Sequence, residues 1–334
     1  MSTIRSNIVS IAILCLCSVY AQAYQTAITG NASNVNKSVN RGTCLMGGGT
    51  DVDAAFSWMI TNAGGGDVVV LRTSGSTTSY NDYIYGLGGV DSVRTILIES
   101  KADANNTTIE NWIKEAEMVF ITGGDQWSYY SLWDGTKLES AVNYVMNTKK
   151  APVGGTSAGM HVLGGIDYTA QNTGAISSEA LANPYDSSVT LKRNSFWEPQ
   201  YMTNTVTDTH FSQRDREGRF LTFMARATKD WGISYSNVKG IAVDEATAAC
   251  VDSAGKAKVF GNNYAFFARG YNGNPEVVSS GQALDWYRNK LAVKVYVVRG
   301  NGSGSGYFNI NNWSSASGGS YEYWYVDHGT YKIY

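Results

Sequence analysis

Short apolar runs alternate with amphipathic segments between about residue 43 and residue 268 of the chain. The runs that predict buried strands cover residues 43–46, 67–71, 93–98, 118–122, 151–154 and 240–243. Helices are predicted over 52–61, with Asp51 as the cap, over 106–117, and over a segment that buries Leu138, Ala141, Val142, Val145 and Met146. Because strands that alternate with helices build parallel sheets covered on both faces, the pattern predicts an α/β fold with a mostly parallel central sheet.

The end of the chain has a different pattern. Residues 301–305 and 314–320 are rich in glycine and serine, and apolar and polar residues alternate over 321–325. We therefore predict a short β appendage over 300–334, which follows an α/β domain at 24–299.

The first 23 residues are typical of a secretory signal peptide. Arg5 supplies a positive charge, residues 8–20 are apolar but too few to span a bilayer, and 21–23 read Ala-Gln-Ala, a cleavage site. A buried first strand is the alternative. We expect a mature chain that begins near Tyr24, is exported, and has no membrane span.

The composition of the chain narrows the classes of partner that the protein is expected to bind. The 334 residues are 43% hydrophobic, enough for one large domain, and the formal net charge of -2 offers no basic surface for nucleic acid. No His/Cys spacing predicts a metal, and no cofactor is expected; a homodimer is left open.

Once the signal is removed, Cys44 and Cys250 remain, and an oxidising compartment permits the disulfide that we predict. Two free thiols are the alternative, because a sequence does not give their separation.

A candidate nucleophile follows the strand at 151–154. The pentapeptide Gly155-Thr156-Ser157-Ala158-Gly159 fits G-x-S-x-G, in which small flanking residues allow a tight strand-to-helix turn that exposes the serine. The backbone N–H of Ala158 is then a candidate oxyanion donor, with a second donor expected from the Gly123-Gly124 turn. The alternative is a tight turn whose serine only caps a helix.

Three histidines compete for the role of general base. His210 lies in a polar cluster and is the strongest candidate; His161 is expected to pack or face away, and His328 lies in the irregular tail. A carboxylate that orients the imidazole is expected directly after the strand at 240–243, and Glu245 or its neighbour Asp244 fits.

Arginines crowd the segment after His210. Arg214, Arg216 and Arg219 lie before or on an amphipathic helix, and such arginines often form a solvated face. Since the guanidinium fork suits carboxylates, we interpret them instead as substrate ligands.

Taken together, these residues resemble the cyanophycinase and aspartyl dipeptidase family of serine peptidases, and the cyanophycinase branch more closely. The matching stretches are 120–126, 155–159, 183–186, Asp208 with His210-Phe211, Arg214, Arg216, 218–219 and 240–245. The resemblance implies a class I glutamine-amidotransferase-like three-layer sandwich and a Ser157–His210–Glu245 triad. It also implies a substrate site lined by Gln126, Asp208, Arg214, Arg216 and Arg219, and oxyanion donors at Gly124 and Ala158.

The same resemblance implies a substrate class. Members cut next to aspartyl residues, and cyanophycinases release β-Asp-Arg dipeptides from cyanophycin, a polyaspartate with arginine on its side-chain carboxylates. A secreted exopeptidase for β-aspartyl linkages, in cyanophycin or isoaspartyl peptides, is therefore expected. Thr209 stands where the pattern usually has glutamine, so strict specificity for cyanophycin does not follow. Two other functions stay open, namely an esterase that uses His328 as base and a secreted binding protein without activity.

Overall fold

The computed structural model describes residues 24–194 and 196–334, so the predicted signal peptide lies outside the described residues. The strands are β1 (Gln25–Gly30), β2 (Gly42–Met46), β3 (Asp67–Arg72), β4 (Ser92–Leu97), β5 (Met118–Ile121), β6 (Val153–Thr156), β7 (Ile166–Tyr168), β8 (Leu191–Arg193), β9 (Thr205–Asp208), β10 (Lys239–Val243), β11 (Thr247–Asp252), β12 (Lys256–Gly261), β13 (Tyr264–Gly270), β14 (Val293–Arg299), β15 (Tyr307–Asn309), β16 (Ala316–Ser317), β17 (Gly319–Asp327) and β18 (Thr330–Ile333). The α-helices are α1 (Asp53–Asn62), α2 (Ser79–Leu87), α3 (Lys101–Ala104), α4 (Thr107–Glu115), α5 (Gln126–Trp133), α6 (Lys137–Tyr144), α7 (Ala158–His161), α8 (Ser177–Ala182) and α9 (Glu217–Asp230).

The first sheet is mixed, with a parallel centre. Its strand order is β1-β4-β3-β5-β6-β2-β11-β12-β15-β16. The five neighbours β4, β3, β5, β6 and β2 pair in parallel, whereas β1 and the strands from β11 onward pair antiparallel. The carboxyl ends of the parallel strands therefore meet at one edge, where ligand sites of α/β sheets lie.

Both faces of this parallel centre are covered. Val69 and Leu71 of β3 pack in a core that includes Ile109 of α4, whereas Val68 and Val70 pack in another core with residues of α1 and α2. A strand buried on both faces has no polar positions to alternate with, which explains the unbroken apolar run at 68–71.

The second sheet has the order β18-β17-β14-β13-β10-β9-β7-β8. In this sheet β7, β9 and β10 pair in parallel, whereas the pairs from β10 to β18 and the pair of β7 with β8 are antiparallel. α9 packs on this sheet through Phe220, Leu221 and Met224. The predicted α/β class is confirmed, but both sheets are large and mixed, and the three-layer arrangement stays a prediction.

Residues 300–334 extend both sheets. β15 and β16 continue the edge of the first sheet beside β12, and β17 and β18 continue the second sheet beside β14. The boundary at residue 299 stays a prediction.

The N-terminus of α1 corrects one expectation. The helix begins at Asp53 with Val52 as its N-cap, and no side chain caps it, so the predicted role of Asp51 as the cap is wrong. Asp51 instead accepts a hydrogen bond from the Tyr80 hydroxyl at 2.7 Å. Its carboxylate is thereby directed toward the sheet edge rather than toward the helix.

The two mature-chain cysteines lie opposite each other on β2 and β11. Both are fully buried free thiols, and their sulfur atoms lie 3.3 Å apart. Burial raises the pKa of the Cys250 thiol well above its usual value. The structure thus brings the predicted pair together as thiols, and the disulfide stays a prediction.

Within residues 24–194 and 196–334, no helix is long and apolar enough to cross a membrane.

Candidate active site

Ser157 stands at the carboxyl end of β6, in a strained backbone conformation. Its φ of 53° and ψ of -117° lie outside the regions that L-residues prefer. The N–H of Ser157 donates to the carbonyl of Met46 at 3.0 Å, which ties the turn to the neighbouring strand. Strain of this kind persists only where surrounding contacts determine the turn.

The glycines on either side of Ser157 permit that turn. A Cβ on Gly155 would lie 2.3 Å from the carbonyl oxygen of Gly159, and a Cβ on Gly159 would lie 2.2 Å from that of Ile121. Any larger residue at either position would push the chain segments apart. The small residues of the G-x-S-x-G pattern are therefore required by close backbone contact.

Ser157, His210 and Glu245 form a continuous hydrogen-bonded chain. Ser157 Oγ lies 2.7 Å from His210 Nε2, and His210 Nδ1 lies 2.6 Å from Glu245 Oε1. The side chain of His210 is 9% exposed and that of Glu245 is 33% exposed. The structure thus brings together the three residues predicted for the triad, in the order and at the distances that a nucleophile, a base and an orienting carboxylate need.

A run of glycines after β2 makes room for this chain. The His210 N–H donates to the Gly47 carbonyl at 2.8 Å, and His210 itself has a φ of 45°. A Cβ on Gly48 would lie 2.4 Å from His210 Cε1, and one on Gly49 would lie 3.0 Å from Glu245 Cβ. No motif in the sequence indicates this role of Gly47–Gly49, because the side chains that the glycines accommodate lie far along the chain.

The surroundings of His210 favour its neutral form. Burial lowers the pKa of His210, the hydrogen bond to Glu245 opposes that effect, and the charges of Arg214 and Arg216 lower the pKa further; the net shift is downward from 6.5. A base must be unprotonated to accept a proton, so these neighbours extend its working range toward lower pH.

Asp208 is buried and organises the arginines. Arg219 Nε donates to Asp208 Oδ2 at 2.8 Å, and Arg219 Nη1 donates to the Ala175 carbonyl at 3.0 Å. Burial alone would raise the pKa of Asp208, but the charges of Arg219 and Arg216 lower it below its ordinary value. Asp208 and Arg219, both predicted as substrate ligands, thus bind each other.

Arg216 and Arg214 are placed closer to the open side. Arg216 Nη1 donates to the Thr209 carbonyl at 2.8 Å and lies 3.6 Å from Asp208 Oδ1. Burial lowers the pKa of Arg216 to about 10, so it keeps its charge at neutral pH. The side chain of Arg214 is 52% exposed and lies 3.8 Å from Glu245 Oε1.

Two depressions flank Ser157. The first, which we name the arginine pocket, has a volume of ≈ 140 Å³ and is lined by Gln126, His161, Tyr168, Thr209, Arg216 and Arg219. The second, the Asp51 cleft, has a volume of ≈ 440 Å³ and is lined by Gly48, Asp51, Arg72, Tyr80, Gly123 and Thr156. Gly124, Ser157, His210 and Arg214 border both. The nucleophile thus lies between a confined cationic pocket and a wider cleft.

The remaining predicted residues fall at this junction. Gln126 donates its amide to the Tyr168 carbonyl at 3.4 Å, on the wall of the arginine pocket. Ala158 borders the same pocket, and Gly124 borders both depressions with a φ of 155°. Sequence reasoning missed Asp51 and Tyr80 as site residues because these two partners are 29 residues apart in the chain, and no motif marks Arg72.

The rival residues lie elsewhere or have other partners. His328 is 85% exposed and pairs with Asp327 at 2.8 Å. His328, Asp327 and Asp285 also form a possible metal-ligand group among the described residues, with ligand atoms within 4.8 Å of one another. Asp244 accepts the Ser212 N–H at 2.8 Å, so Glu245 rather than Asp244 faces His210.

Comparison with known proteins provides evidence that is independent of the geometry of the site. The family model described as peptidase family S51 matches residues 78–251. Cyanophycinases from Synechococcus elongatus and from Thermosynechococcus vestitus (strain NIES-2133 / IAM M-273 / BP-1) are each 28% identical over 182 residues, which is 54% of this chain and 50% of the relative. The chain thus spans about half the length of these curated relatives.

Among solved structures, a peptidase from an acI-B1 Actinobacterium is similar with a TM-score of 0.46 and 15% identity, over 68% of this chain and 90% of that one. The stretch matched by the family model extends from the start of α2 through β11 and contains Ser157, His210 and Glu245. Because that model matches more than half of the chain, this protein belongs to peptidase family S51, which confirms the family of serine peptidases that its motifs resemble.

Proposed function

We propose that this protein is a secreted serine exopeptidase for β-linked aspartyl units, which it releases from cyanophycin as β-Asp-Arg dipeptides or cleaves in isoaspartyl peptides. The observation that carries the proposal is the unbroken Ser157–His210–Glu245 chain, with contacts of 2.7 and 2.6 Å, at the mouth of an arginine-lined pocket. The curated relatives are named cyanophycinases, which supports a peptide substrate of this kind.

The proposed reaction is acyl transfer through Ser157. His210 Nε2 accepts the Ser157 Oγ proton while Oγ bonds to the scissile carbonyl carbon, whose oxygen takes the electron pair. The backbone N–H groups of Gly124 and Ala158 stabilise that oxyanion. Collapse breaks the C–N bond, and His210 Nε2 returns the proton to the leaving amine. Water, deprotonated by His210, then releases the acyl group and restores Ser157.

Glu245 has an orienting role in this reaction. Its carboxylate accepts the Nδ1–H of His210, which leaves Nε2 unprotonated toward Ser157 and stabilises the imidazolium that forms.

Arg216 and Arg214 are the proposed ligands of the aspartyl carboxylate. Both are charged and border the pocket beside Ser157, whereas Arg219 is held by Asp208 and by the ring of Tyr168, 5.0 Å from its guanidinium carbon. Asp208 and Arg219 then act by fixing the shape and charge of the pocket wall. Gln126 lies on the same wall, within reach of a polar substrate group.

The three-layer arrangement of the fold and the export of the protein are also part of this proposal. Helices on both faces of the parallel strands support a three-layer sandwich of the class I glutamine-amidotransferase type. The charged, apolar and Ala-Gln-Ala segments of residues 1–23 support export. Recovery of the protein from culture medium with an intact residue 1 would contradict the proposed cleavage near Tyr24.

One experiment tests the catalytic part. Purified protein is incubated with a fluorophosphonate probe, with cyanophycin, and with β-Asp-Lys and its α-linked isomer, and the product masses are measured. We expect labelling that Ser157→Ala abolishes, and cleavage of the β-linked substrates alone. No labelling would favour a binding protein, whereas labelling with ester but no peptide hydrolysis would favour an esterase.

A further inference from the structure

Three cations lie side by side on one face of the second sheet. In the register of the strands, Lys239 of β10 is opposite Arg269 of β13, and Arg269 is opposite Lys294 of β14. Residues that are directly opposite each other share a face of the sheet, with Cβ atoms about 5 Å apart, and like charges in this arrangement destabilise the sheet. We name these three residues the cation row.

The chain does not neutralise the cation row. Among the residues that the structure describes, no carboxylate pairs with any of the three cations, and the Arg269 guanidinium has no hydrogen-bond acceptor. Lys294 Nζ instead lies 4.0 Å from the centre of the Tyr321 ring, and Lys239 Nζ lies 5.2 Å from that of Trp313. Burial lowers the pKa of Lys239, and the charge of Arg269 lowers it further. The half-buried positive charge of the row is thus uncompensated.

Two members of the row line a pocket with aromatic walls. The pocket has a volume of ≈ 170 Å³, and Arg269 and Lys294 line it together with the rings of Phe267, Phe308, Trp313 and Tyr321. The rings of Phe267 and Phe308 stack with their centroids 4.8 Å apart. We name this depression the distal pocket. It offers a flat apolar surface beside two cations.

The indole of Trp313 also lacks a partner. Trp313 is 6% exposed, and its buried Nε1 has no hydrogen-bond acceptor among the residues that the structure describes. A buried N–H without an acceptor is unfavourable. An anionic ligand brings acceptor oxygens, which both the cations of the row and this wall of the pocket lack.

The distal pocket is separate from the active site. Lys239 is the first residue of β10, and Glu245 follows the opposite end of that strand. No residue that lines the distal pocket also lines either depression beside Ser157. The lining residues lie between 267 and 321, beyond the stretch 78–251 that the family model matches. A ligand of this pocket is therefore independent of the proposed catalytic function.

We propose that the distal pocket binds a small aromatic carboxylate. Arg269 and Lys294 pair with the carboxylate, for which the guanidinium fork of Arg269 is suited. The ring of the ligand packs on Phe267, Phe308 and Trp313. A bare inorganic anion would leave the aromatic walls without a contact, and a neutral aromatic molecule would leave the cations unpaired.

Calorimetric titration with three ligands tests the proposal. Phenylacetate carries both a ring and a charge, phenylacetamide has the same shape without the charge, and acetate has the charge without the ring. The wild-type protein should bind phenylacetate at least about tenfold more tightly than either of the others. Arg269→Gln should weaken binding of phenylacetate by about tenfold or more, and the more solvated Lys294→Gln by about threefold to tenfold.

Two variants serve as controls, with circular dichroism as the folding check. Arg299→Gln removes an exposed guanidinium of β14 that donates to the Asn262 carbonyl at 3.3 Å and does not line the pocket. Arg216→Ala removes a cation of the arginine pocket beside Ser157. Both variants should bind phenylacetate as tightly as the wild type.

Each other outcome would overturn the proposal. Equal affinities for phenylacetate and phenylacetamide would show that the cations do not select a charge. Tighter binding of inorganic phosphate than of phenylacetate would show a site for simple anions, in which the aromatic walls have no part. A loss of affinity in Arg216→Ala that is absent from Arg269→Gln would assign the carboxylate to the active site. Absence of binding by all of these ligands would also refute the proposal.

Discussion

Two histidines line the arginine pocket, and each has a carboxylate nearby, yet their surroundings are opposite. His210 Nδ1 lies 2.6 Å from the partly exposed Glu245, and its Nε2 faces Ser157. His161 is fully buried, with Nε2 3.2 Å from Thr209 Oγ1 and 3.6 Å from Asp208. Burial lowers the pKa of His161 to about 3, so it stays neutral.

The difference lies in what each carboxylate already binds. The charge of Asp208 is taken by Arg219 and Arg216, whereas the Glu245 carboxylate pairs with His210 and lies 3.8 Å from Arg214, its one cationic neighbour besides His210 among the residues that the structure describes. A histidine beside a carboxylate therefore becomes a candidate base when the carboxylate charge is free to stabilise its protonated form and a nucleophile meets its other nitrogen. His161 meets neither condition.

The largest loss of activity should come from substitutions in the chain of Ser157, His210 and Glu245. Ser157→Ala and His210→Ala should each lower kcat/KM by roughly 10⁴-fold or more, and Glu245→Gln by somewhat less, because it orients and does not transfer the proton. His161→Gln is the contrast and should keep most activity. Steady-state kinetics on a β-aspartyl dipeptide, with circular dichroism as the folding check, decides the matter. A loss in His161→Gln as large as in His210→Ala would erase the distinction between the two histidines.

For the pair of His161 and Asp208, the expected effect is on the stability of the fold. Asp208→Asn leaves Arg219 buried without its counter-charge, so the free energy of unfolding should fall by about 3–5 kcal/mol. Glu245→Gln, at the partly exposed carboxylate, should change it by less than about 1 kcal/mol. Urea unfolding of both variants measures this. Similar stabilities would mean that Asp208 is not the charge that holds the arginines.

A smaller effect should separate substrate binding from catalysis. Arg216→Ala should lower kcat/KM on a β-aspartyl peptide by about 10- to 100-fold, since a hydrogen bond to a charged group contributes about 1.5–3 kcal/mol. Arg216→Lys should recover only part, because lysine lacks the planar fork. A neutral ester serves as the comparison substrate. Equal losses on ester and peptide would show that Arg216 serves the triad through Thr209.

The smallest effect is a shift in pH dependence. Activity should be lost as the pH falls through the pKa of His210, since a protonated imidazole cannot accept the Ser157 proton. The charge of Arg214 lowers that pKa, so Arg214→Gln should raise it and move the acid limb of kcat/KM to higher pH. The same profile recorded for Lys229→Gln, an exposed cation at the far end of α9, should match the wild type. A limb that stays in place in Arg214→Gln would rule out the proposed influence of Arg214 on the base.

Much of the parallel centre of the first sheet could be predicted, because the apolar runs and the helical spacing that indicate its elements are local in the sequence. The apolar run at 118–122 became β5, and the apolar spacing at 106–117 became α4, which Asn106 caps. The strand predicted at 151–154 lies two residues further on, as β6, because the chain stays extended up to the elbow. The antiparallel strands β13 and β14 of the second sheet do not alternate with helices in this way, so the sequence does not predict that sheet.

Prediction of the candidate site from the sequence has the same limit, because it depends on signals that are local in the chain. Ser157, His210 and Glu245 were identified because each lies in a short motif or directly after an apolar run. Asp51 was misinterpreted as a cap because its true partner, Tyr80, is 29 residues away. A fit between side chains distant in sequence has no local signal.

The fit of Gly48 against His210 has a consequence for how related sequences are interpreted. A side chain at position 48 would strain a residue with a φ of 97° and collide with the imidazole, which can swing away while the sheets stay intact. A descendant with that single change would fold, keep all three triad residues, and have a base that no longer reaches its serine. Genome surveys that count triad residues would classify it as an active peptidase, whereas the glycine at this position would reveal that it is not.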